Sequence, residues 1–256
     1  MIELTLSDGV ATVVLNAPAK LNALDEQAIA ELGAAYAEAE AAGVRALVLR
    51  GEGRAFCAGR DISGVDPRED DVIGYLDGLV TPLLQRMSRF PAPTFAAAHG
   101  ACLGVGLGLL IATDVVYVAE SAKIGSPFAA LGATLDSGGH ALFLDRLGAH
   151  KALDLIYTGR LMTGTEAVQS GLFSRVFPDD DVERETTDAA ARAAHGATAA
   201  FLASKRLIAR MRDERMTLWD SVALENRTQA ALCDTDDYRE GFAAFQEKRR
   251  PEFRGR

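Results

Sequence analysis

Two glycine-rich stretches and one aspartate hold the residue types on which chemistry can be built. The first stretch runs Gly53-Arg54-Ala55-Phe56-Cys57-Ala58-Gly59-Arg60-Asp61-Ile62 and the second Gly100-Ala101-Cys102-Leu103-Gly104-Val105-Gly106-Leu107-Gly108, each following an apolar run of strand character. Glycine lets a backbone turn and approach a ligand closely, and a helix N-terminus presents unpaired N–H groups to an anion. Two such loops aimed at one point would form an oxyanion hole; spacing alone leaves it equally open that both are tight connections in a packed core. The aspartate is Asp136, in Leu131-Gly132-Ala133-Thr134-Leu135-Asp136-Ser137-Gly138-Gly139. An aspartate ahead of Ser-Gly-Gly and an apolar run is what a helix N-cap requires, and a single such aspartate is a cap more often than a catalyst, although both roles can coexist. Set among Phe128, Leu131, Leu135 and Leu142, its carboxyl would be partly desolvated and its pKa raised from ~3.9 toward the range useful for proton transfer. His140 shares a helical face with Asp136 if the helix has begun by then, although a surface histidine is the plainer reading.

Other chemistries lack their patterns. The three cysteines, Cys57, Cys102 and Cys233, are too few and too widely spaced for a disulfide framework or a CxxC pair, so a reducing compartment, the cytoplasm, is expected. His99, His140, His150 and His195 form no zinc-ligand spacing, and no metal is expected. Gly104-x-Gly106 is followed by Leu109 where a dinucleotide fingerprint needs its third glycine, and there is neither a phosphate-binding GxxxxGK[ST] nor a GxSxG nucleophile elbow.

The elements that must position these loops follow from periodicity. Segments 2–6 and 10–15 flank Ser7-Asp8-Gly9 and read as a β-hairpin. Segment 22–40 reads as a helix behind Asp25 as N-cap, ended by Gly43, and 44–49 as a buried strand. The long loop 51–70 is of a length that usually carries function. A helix over 72–88, strands over 93–98 and 115–119, and a glycine-entered helix over 104–112 complete an alternating α/β half. From residue 137 onward the spacing predicts helices over 138–147, 149–158, 165–170, 182–194, 198–211, 217–233 and 236–249, with one strand over 174–177. The charged tail helices hold more apolar residues than a solitary surface helix requires, which suggests subunit packing.

The chain has 256 residues, 48% apolar and 25% charged, ordinary for a globular protein of one large domain. Its 36 acidic against 27 basic residues give a formal charge of −9, a field that repels nucleic acid and anionic membranes, so neither is an expected partner. Any anionic ligand must find a local basic site. The uncharged segment 90–113, with Gly100, Gly104 and Gly108 in a GxxxGxxxG series, is better read as a buried strand, loop and helix than as a membrane span, because Pro91, Pro93 and His99-Gly100 interrupt it. The start, Met1-Ile2-Glu3-Leu4, has no basic region before an apolar core, and no signal peptide is expected.

Several runs resemble the crotonase (enoyl-CoA hydratase/isomerase) superfamily: residues 53–62 (GRAFCAGRDI), residues 99–114 (HGACLGVGLGLLIATD), Ser121-Ala122-Lys123-Ile124-Gly125-Ser126-Pro127, Arg146-Leu147-Gly148, Thr158-Gly159-Arg160, Ala167 with Gly171-Leu172, and the end Tyr238-Arg239-Glu240-Gly241-Phe242 with Phe245, Lys248 and Arg249. The resemblance covers essentially the whole chain. It implies an α/β crotonase (ClpP-like) fold, a spiral of ββα units over 1–195 and a C-terminal helical trimerisation region over 196–256. It also implies acyl-CoA thioester substrates, no separate cofactor because coenzyme A is part of the substrate, and a homotrimer or dimer of trimers. On the matching positions, the N–H groups of Arg60 and Val105 would form the oxyanion hole, and Arg60's side chain is expected to meet a CoA phosphate. Lys20, Leu21, Ala58, Asp61 and Ile62 would lie along coenzyme A, with Phe245 and Lys248 reaching over from a neighbouring subunit. Without the motif match, Lys20 and Lys248 would read as solvated surface lysines.

The same resemblance marks a departure from hydratases, which place two glutamates where this chain has Gly108 and Phe128. Adding water across a conjugated double bond asks for a group that activates water and one that delivers a proton, and neither residue does either. Asp136 instead matches the catalytic aspartate of the 1,2-epoxyphenylacetyl-CoA isomerases, which the chain resembles most, and of the 4-chlorobenzoyl-CoA dehalogenases. The expected activity is an acyl-CoA isomerase with Asp136 as acid/base and Gly104, Gly108, Phe128 and Leu131 lining the acyl pocket, its wall built by 65–84. Alternatives are an enoyl-CoA hydratase-like lyase, a CoA-thioester hydrolase or dehalogenase with Asp136 as nucleophile, and a non-catalytic acyl-CoA-binding protein.

Overall fold

A computed structural model of the chain describes residues 1–255. Alternating apolar residues form β1 (Ile2–Ser7) and β2 (Val10–Leu15), an antiparallel pair joined by Asp8-Gly9. Both turn residues have positive φ, the two-residue turn whose twist suits a hairpin. A short 3-10 turn over Pro18–Lys20 leads to α1 (Glu26–Ala41), whose first turn is capped by the Asp25 carboxylate accepting from Ala28 N at 2.8 Å. Then come β3 (Ala46–Gly51), α2 (Val72–Tyr75) and α3 (Thr81–Ser88), the two helices joined without a break by one π turn over Leu76–Val80. β4 (Thr94–Ala98), β5 (Ala101–Leu103), α4 (Val105–Ile111), β6 (Val115–Ala119) and β7 (Lys123–Gly125) follow.

After a 3-10 turn over Phe128–Leu131 the chain is mostly helical: α5 (Gly139–Leu147), α6 (Ala149–Thr158), β8 (Met162–Thr163), α7 (Gly164–Gln169), β9 (Arg175–Phe177), α8 (Val182–Ala194), α9 (Thr198–Glu214), α10 (Leu218–Leu232) and α11 (Asp236–Glu247). The six-stranded sheet has the order β1-β2-β3-β4-β6-β9, parallel except for the hairpin, and a three-stranded sheet has the order β5-β7-β8. β5, β7 and β8, of two or three residues each, were not foreseen, because no period can be read from so short a run.

The two sheets show how the glycine loops are placed. Pairs such as β4–β5 and β6–β7 send one strand into the large sheet and the next into the small one. The segment after β3 behaves in the same way although it is not a regular strand: Cys57 forms a bridge with Cys102 of β5, Cys57 N donating to Ala101 O at 2.9 Å and Leu103 N to Cys57 O at 3.0 Å. A second bridge joins Leu24 and Arg60. The first loop is therefore stitched to the second, and both to the start of the chain. Beneath them, β3 and β4 are buried almost throughout, with Leu47, Leu49, Ala96 and Ala98 fully inside, as expected of a parallel sheet covered on both faces. Each such leucine contributes about 1.5–3 kcal/mol by leaving water.

The tail is pinned to this body by Arg45, whose guanidinium donates to Gly196 O (2.6 Å), Thr198 Oγ1 (3.2 Å) and Phe253 O (2.9 Å). Lys205 on α9 adds an ion pair with Asp114 at 2.9 Å and donates to Phe90 O at 3.0 Å. Between these ties the tail helices leave large apolar side chains in the open, Trp219 at 75% and Phe245 at 84% exposure among them. The segment with the membrane-like glycine series is β4, β5 and the seven-residue α4, and no helix among the described residues is long and apolar enough to cross a membrane.

Candidate active site

The two glycine loops touch. Gly59 has φ +101° and Gly104 φ +53°, conformations that side-chain-bearing residues rarely adopt. A Cβ at Gly59 would sit 3.0 Å from Leu103 O and 3.7 Å from Gly104 Cα, so the glycines are also needed for the close approach. The residue after each glycine, Arg60 and Val105, keeps a backbone N–H with no acceptor among the described residues: the bridge to Leu24 uses Gly59 O and Asp61 N and skips Arg60, and Val105 stands in the first turn of α4. The ring of Phe128 closes the other side of Gly104, where a Cβ would lie 3.0 Å from it.

Asp136, eight residues after Phe128 in the chain, is half-buried, with its Oδ1 enclosed and without a hydrogen-bond partner. It does not cap a helix. Ser137 (φ +51°) and Gly138 (φ +90°) turn the chain left-handed before α5 starts, and Gly138 occupies the cap position. Burial raises the Asp136 pKa above the ordinary carboxylate value, opposed by the adjacent Ser137 hydroxyl and by the charge of Arg60. His140 Nε2 pairs with Thr134 Oγ1 at 3.2 Å, and among the described residues no hydrogen bond joins His140 to Asp136. The reason for Gly108 is visible here: a Cβ at that position would meet Ser137 Cβ at 2.5 Å, so Ser137 occupies the space into which a glutamate at 108 would project.

The Arg60 side chain departs from expectation. It makes a two-pronged ion pair with Asp70 (2.7 and 2.8 Å) and stacks 4.0 Å over the ring of Tyr75, so it is engaged inside the protein rather than free for a phosphate. Lys20 remains a basic group at the surface, but it is held by Asp61 at 2.8 Å, and Asp61 also accepts from Ser63 N and Oγ. That pairing raises the Lys20 pKa and holds the Asp61 carboxyl well below the usual range. Leu21 (φ +52°) accepts from Ala58 N at 3.0 Å, and Leu24 exchanges bonds with Gly59 and Asp61, so Lys20, Leu21, Ala58, Asp61 and the exposed Ile62 come together as one strip leading to Arg60. Leu131 is exposed at the edge of the Phe128 turn. Phe245 and Lys248 stand at the end of α11, and among the described residues no hydrogen bond joins either side chain to this strip. Asp70 and Tyr75 were not singled out from the sequence, since a loop aspartate ten residues after an arginine and a tyrosine on an apolar helical face carry no signal of their own. Among the described residues no group of His, Cys, Asp or Glu is arranged to hold a metal ion.

Strand pairs split between two sheets, with a tail of helices, define the crotonase fold. A solved enoyl-CoA hydratase from Bacillus anthracis superposes with a TM-score of 0.90 at 28% identity, covering 100% of this chain and 99% of that one. Residues 5–256 match the family model described as enoyl-CoA hydratase/isomerase, and the chain belongs to that family. A protein of Rhodobacter capsulatus named "Probable enoyl-CoA hydratase" is 35% identical over 255 residues, which is 100% of this chain and 98% of that protein. The 1,2-epoxyphenylacetyl-CoA isomerase of Escherichia coli is 32% identical, with 100% of both chains covered. Hydratase names are the more frequent among such relatives.

Proposed function

We propose that the protein is an acyl-CoA isomerase in which the N–H groups of Arg60 and Val105 hold the thioester oxygen and Asp136 carries the proton. The observation that supports this above all is the enclosed, unpartnered Oδ1 of Asp136, together with Ser137 filling the place at Gly108 where a hydratase glutamate would stand. The Asp136 carboxylate takes a proton from C2 of a 3-enoyl thioester, the resulting dienolate oxygen is stabilised by the two N–H donors, and the protonated Asp136 returns the proton to C4, leaving a 2,3 double bond. The same pair of groups suits a ring-epoxidised phenylacetyl thioester. Coenzyme A enters as part of the substrate, along the strip from Lys20 to Ile62.

Product analysis separates isomerase from hydratase. Incubation with 3-hexenoyl-CoA or 1,2-epoxyphenylacetyl-CoA is expected to give rearranged thioester, while crotonyl-CoA is hydrated at least about 10²-fold more slowly, as befits a site without a carboxylate pair. Hydration of crotonyl-CoA at a rate equal to isomerisation would assign the chain to the hydratases instead.

The helical region from 196 onward serves subunit packing in this reading, which the exposure of Trp219 and Phe245 supports, and Phe245 and Lys248 then complete the CoA strip of a neighbour. Light scattering at micromolar concentration should return the mass of a trimer or a dimer of trimers. A monomeric mass would remove Phe245 and Lys248 from the CoA site.

A further inference from the structure

We infer that Tyr75 is a specificity-determining residue whose hydroxyl donates a hydrogen bond to an oxygen carried on the acyl group of the substrate, so that the pocket favours oxygen-bearing acyl chains over plain hydrocarbon ones. The proposal rests on the acyl-CoA reading of the site above.

Tyr75 is 3% exposed and its hydroxyl has no hydrogen-bond partner. A buried phenol usually finds a partner, and an unmade bond at such a depth is costly unless something arrives to make it. The environment of this phenol is that of the active site. Arg60, whose backbone N–H is one of the two unpaired donors of the glycine loops, lays its guanidinium over the Tyr75 ring at 4.0 Å. Burial raises the pKa of the phenol most, Arg60 opposes that rise, and Cys57, Asp136 and Glu26 add to it. Tyr75 thus remains a donor at any physiological pH, with an arginine above its ring to withdraw electron density from it. Asp70 fixes that arginine by two bonds of 2.7 and 2.8 Å. The backbone adds a second observation: α2 ends at Tyr75 and passes straight into the π turn over Leu76–Val80, an irregularity found often where a helix contributes to a functional site.

Two enclosed oxygens without partners, Tyr75 Oη and Asp136 Oδ1, both feel the charge of Arg60, and they differ in what they seek. The carboxylate exchanges a proton with carbon. The phenol, held neutral, seeks an acceptor, and the thioester oxygen is already taken by the two backbone donors. An epoxide, hydroxyl or carbonyl oxygen on the acyl skeleton supplies that acceptor. A site built to bond a substrate oxygen discriminates strongly against the analogue lacking it, because its own polar group is then left unpaired.

Binding of unreactive thioesters tests this without turnover. By titration calorimetry the wild type should bind 2-hydroxyphenylacetyl-CoA about tenfold more tightly than phenylacetyl-CoA, an effect of one hydrogen bond. Tyr75→Phe keeps the ring and the Arg60 stack, and should erase that preference while leaving phenylacetyl-CoA affinity unchanged and the melting temperature the same or higher, since a buried unpartnered hydroxyl is removed. Tyr36→Phe serves as the control: Tyr36 also has a buried, unpartnered hydroxyl, but it packs edge-on against Phe90 in the core, and its loss should leave both affinities alone. Equal wild-type affinity for the two ligands, or a Tyr75→Phe protein weakened equally toward both, overturns the inference. So does a loss in that variant confined to crotonyl-CoA hydration, which would make Tyr75 a holder of water. These outcomes are independent of the catalytic role of Asp136, since a protein that isomerises nothing can still show the preference.

Discussion

Asp136→Asn should lower the rate of double-bond isomerisation by about 10²–10⁴-fold, the span that a positioned acid–base group contributes, while binding of the thioester is kept. The amide matches the carboxyl in size and cannot relay a proton between carbons. The pH profile carries a second signature. Because burial raises the pKa of the folded carboxyl, and the reaction begins with the ionised form, wild-type kcat/KM should climb as pH rises through that raised pKa; the residual rate of the variant should lack this limb. Stability should move the other way. A carboxyl whose pKa is higher in the fold than in the unfolded chain favours the fold fully only below its unfolded pKa of ~3.9, and that advantage is lost as pH rises through the folded value. At neutral pH the wild type therefore carries an unfavourable half-buried charge, and Asp136→Asn should melt at the same temperature or higher. Undiminished activity in the Asp136→Asn protein would remove Asp136 from the mechanism.

Gly59→Ala should be the next most damaging change, with kcat/KM down by about 10²–10³-fold, as when an oxyanion donor is lost. A backbone N–H cannot be deleted by changing a side chain, so the test must displace it. Alanine at φ +101° is strained by about 1–3 kcal/mol, and its Cβ meets Leu103 O at 3.0 Å, which drives the two loops apart and separates the N–H groups of Arg60 and Val105. Gly43→Ala is the matched control. Its φ is also positive, at +65°, yet nothing lies within 4 Å of the added atom, so it should lose stability with no change in kcat/KM. Equal kinetics for the two variants would remove the paired loops from catalysis.

Elements long enough to show a period were legible in the sequence. The hairpin turn at Asp8-Gly9, the Asp25 cap and the stop at Gly43 are local chemistry, and each holds in the structure. The small sheet was not legible, because β5, β7 and β8 are held by bridges to distant segments rather than by any preference of their own two or three residues. Thr163 and Glu166 form a reciprocal capping box that starts α7 one residue before the expected helix at 165, a signature that a search for Thr-x-x-Glu finds. The stretch 72–88 has a helical pattern throughout, and nothing in it announces the π turn. At the site, the glycines could be read because their role is backbone geometry. Arg60 was misjudged because its partners, Asp70 and Tyr75, approach it only after the loop has folded back. Asp136 was ambiguous for a similar reason, since its role depends on two left-handed residues that withdraw it from the helix start.

The three bonds of Arg45 carry a consequence for how the chain is made. Their acceptors lie 151, 153 and 208 residues further along. At a ribosomal pace of about 5–20 residues per second, Arg45 waits roughly 10–40 s after its own synthesis for Phe253 to appear. Until then the strand it precedes can pair with its neighbours, but the surface under the tail stays uncovered. Final closure is thereby deferred until the segment that carries Phe253 has been made.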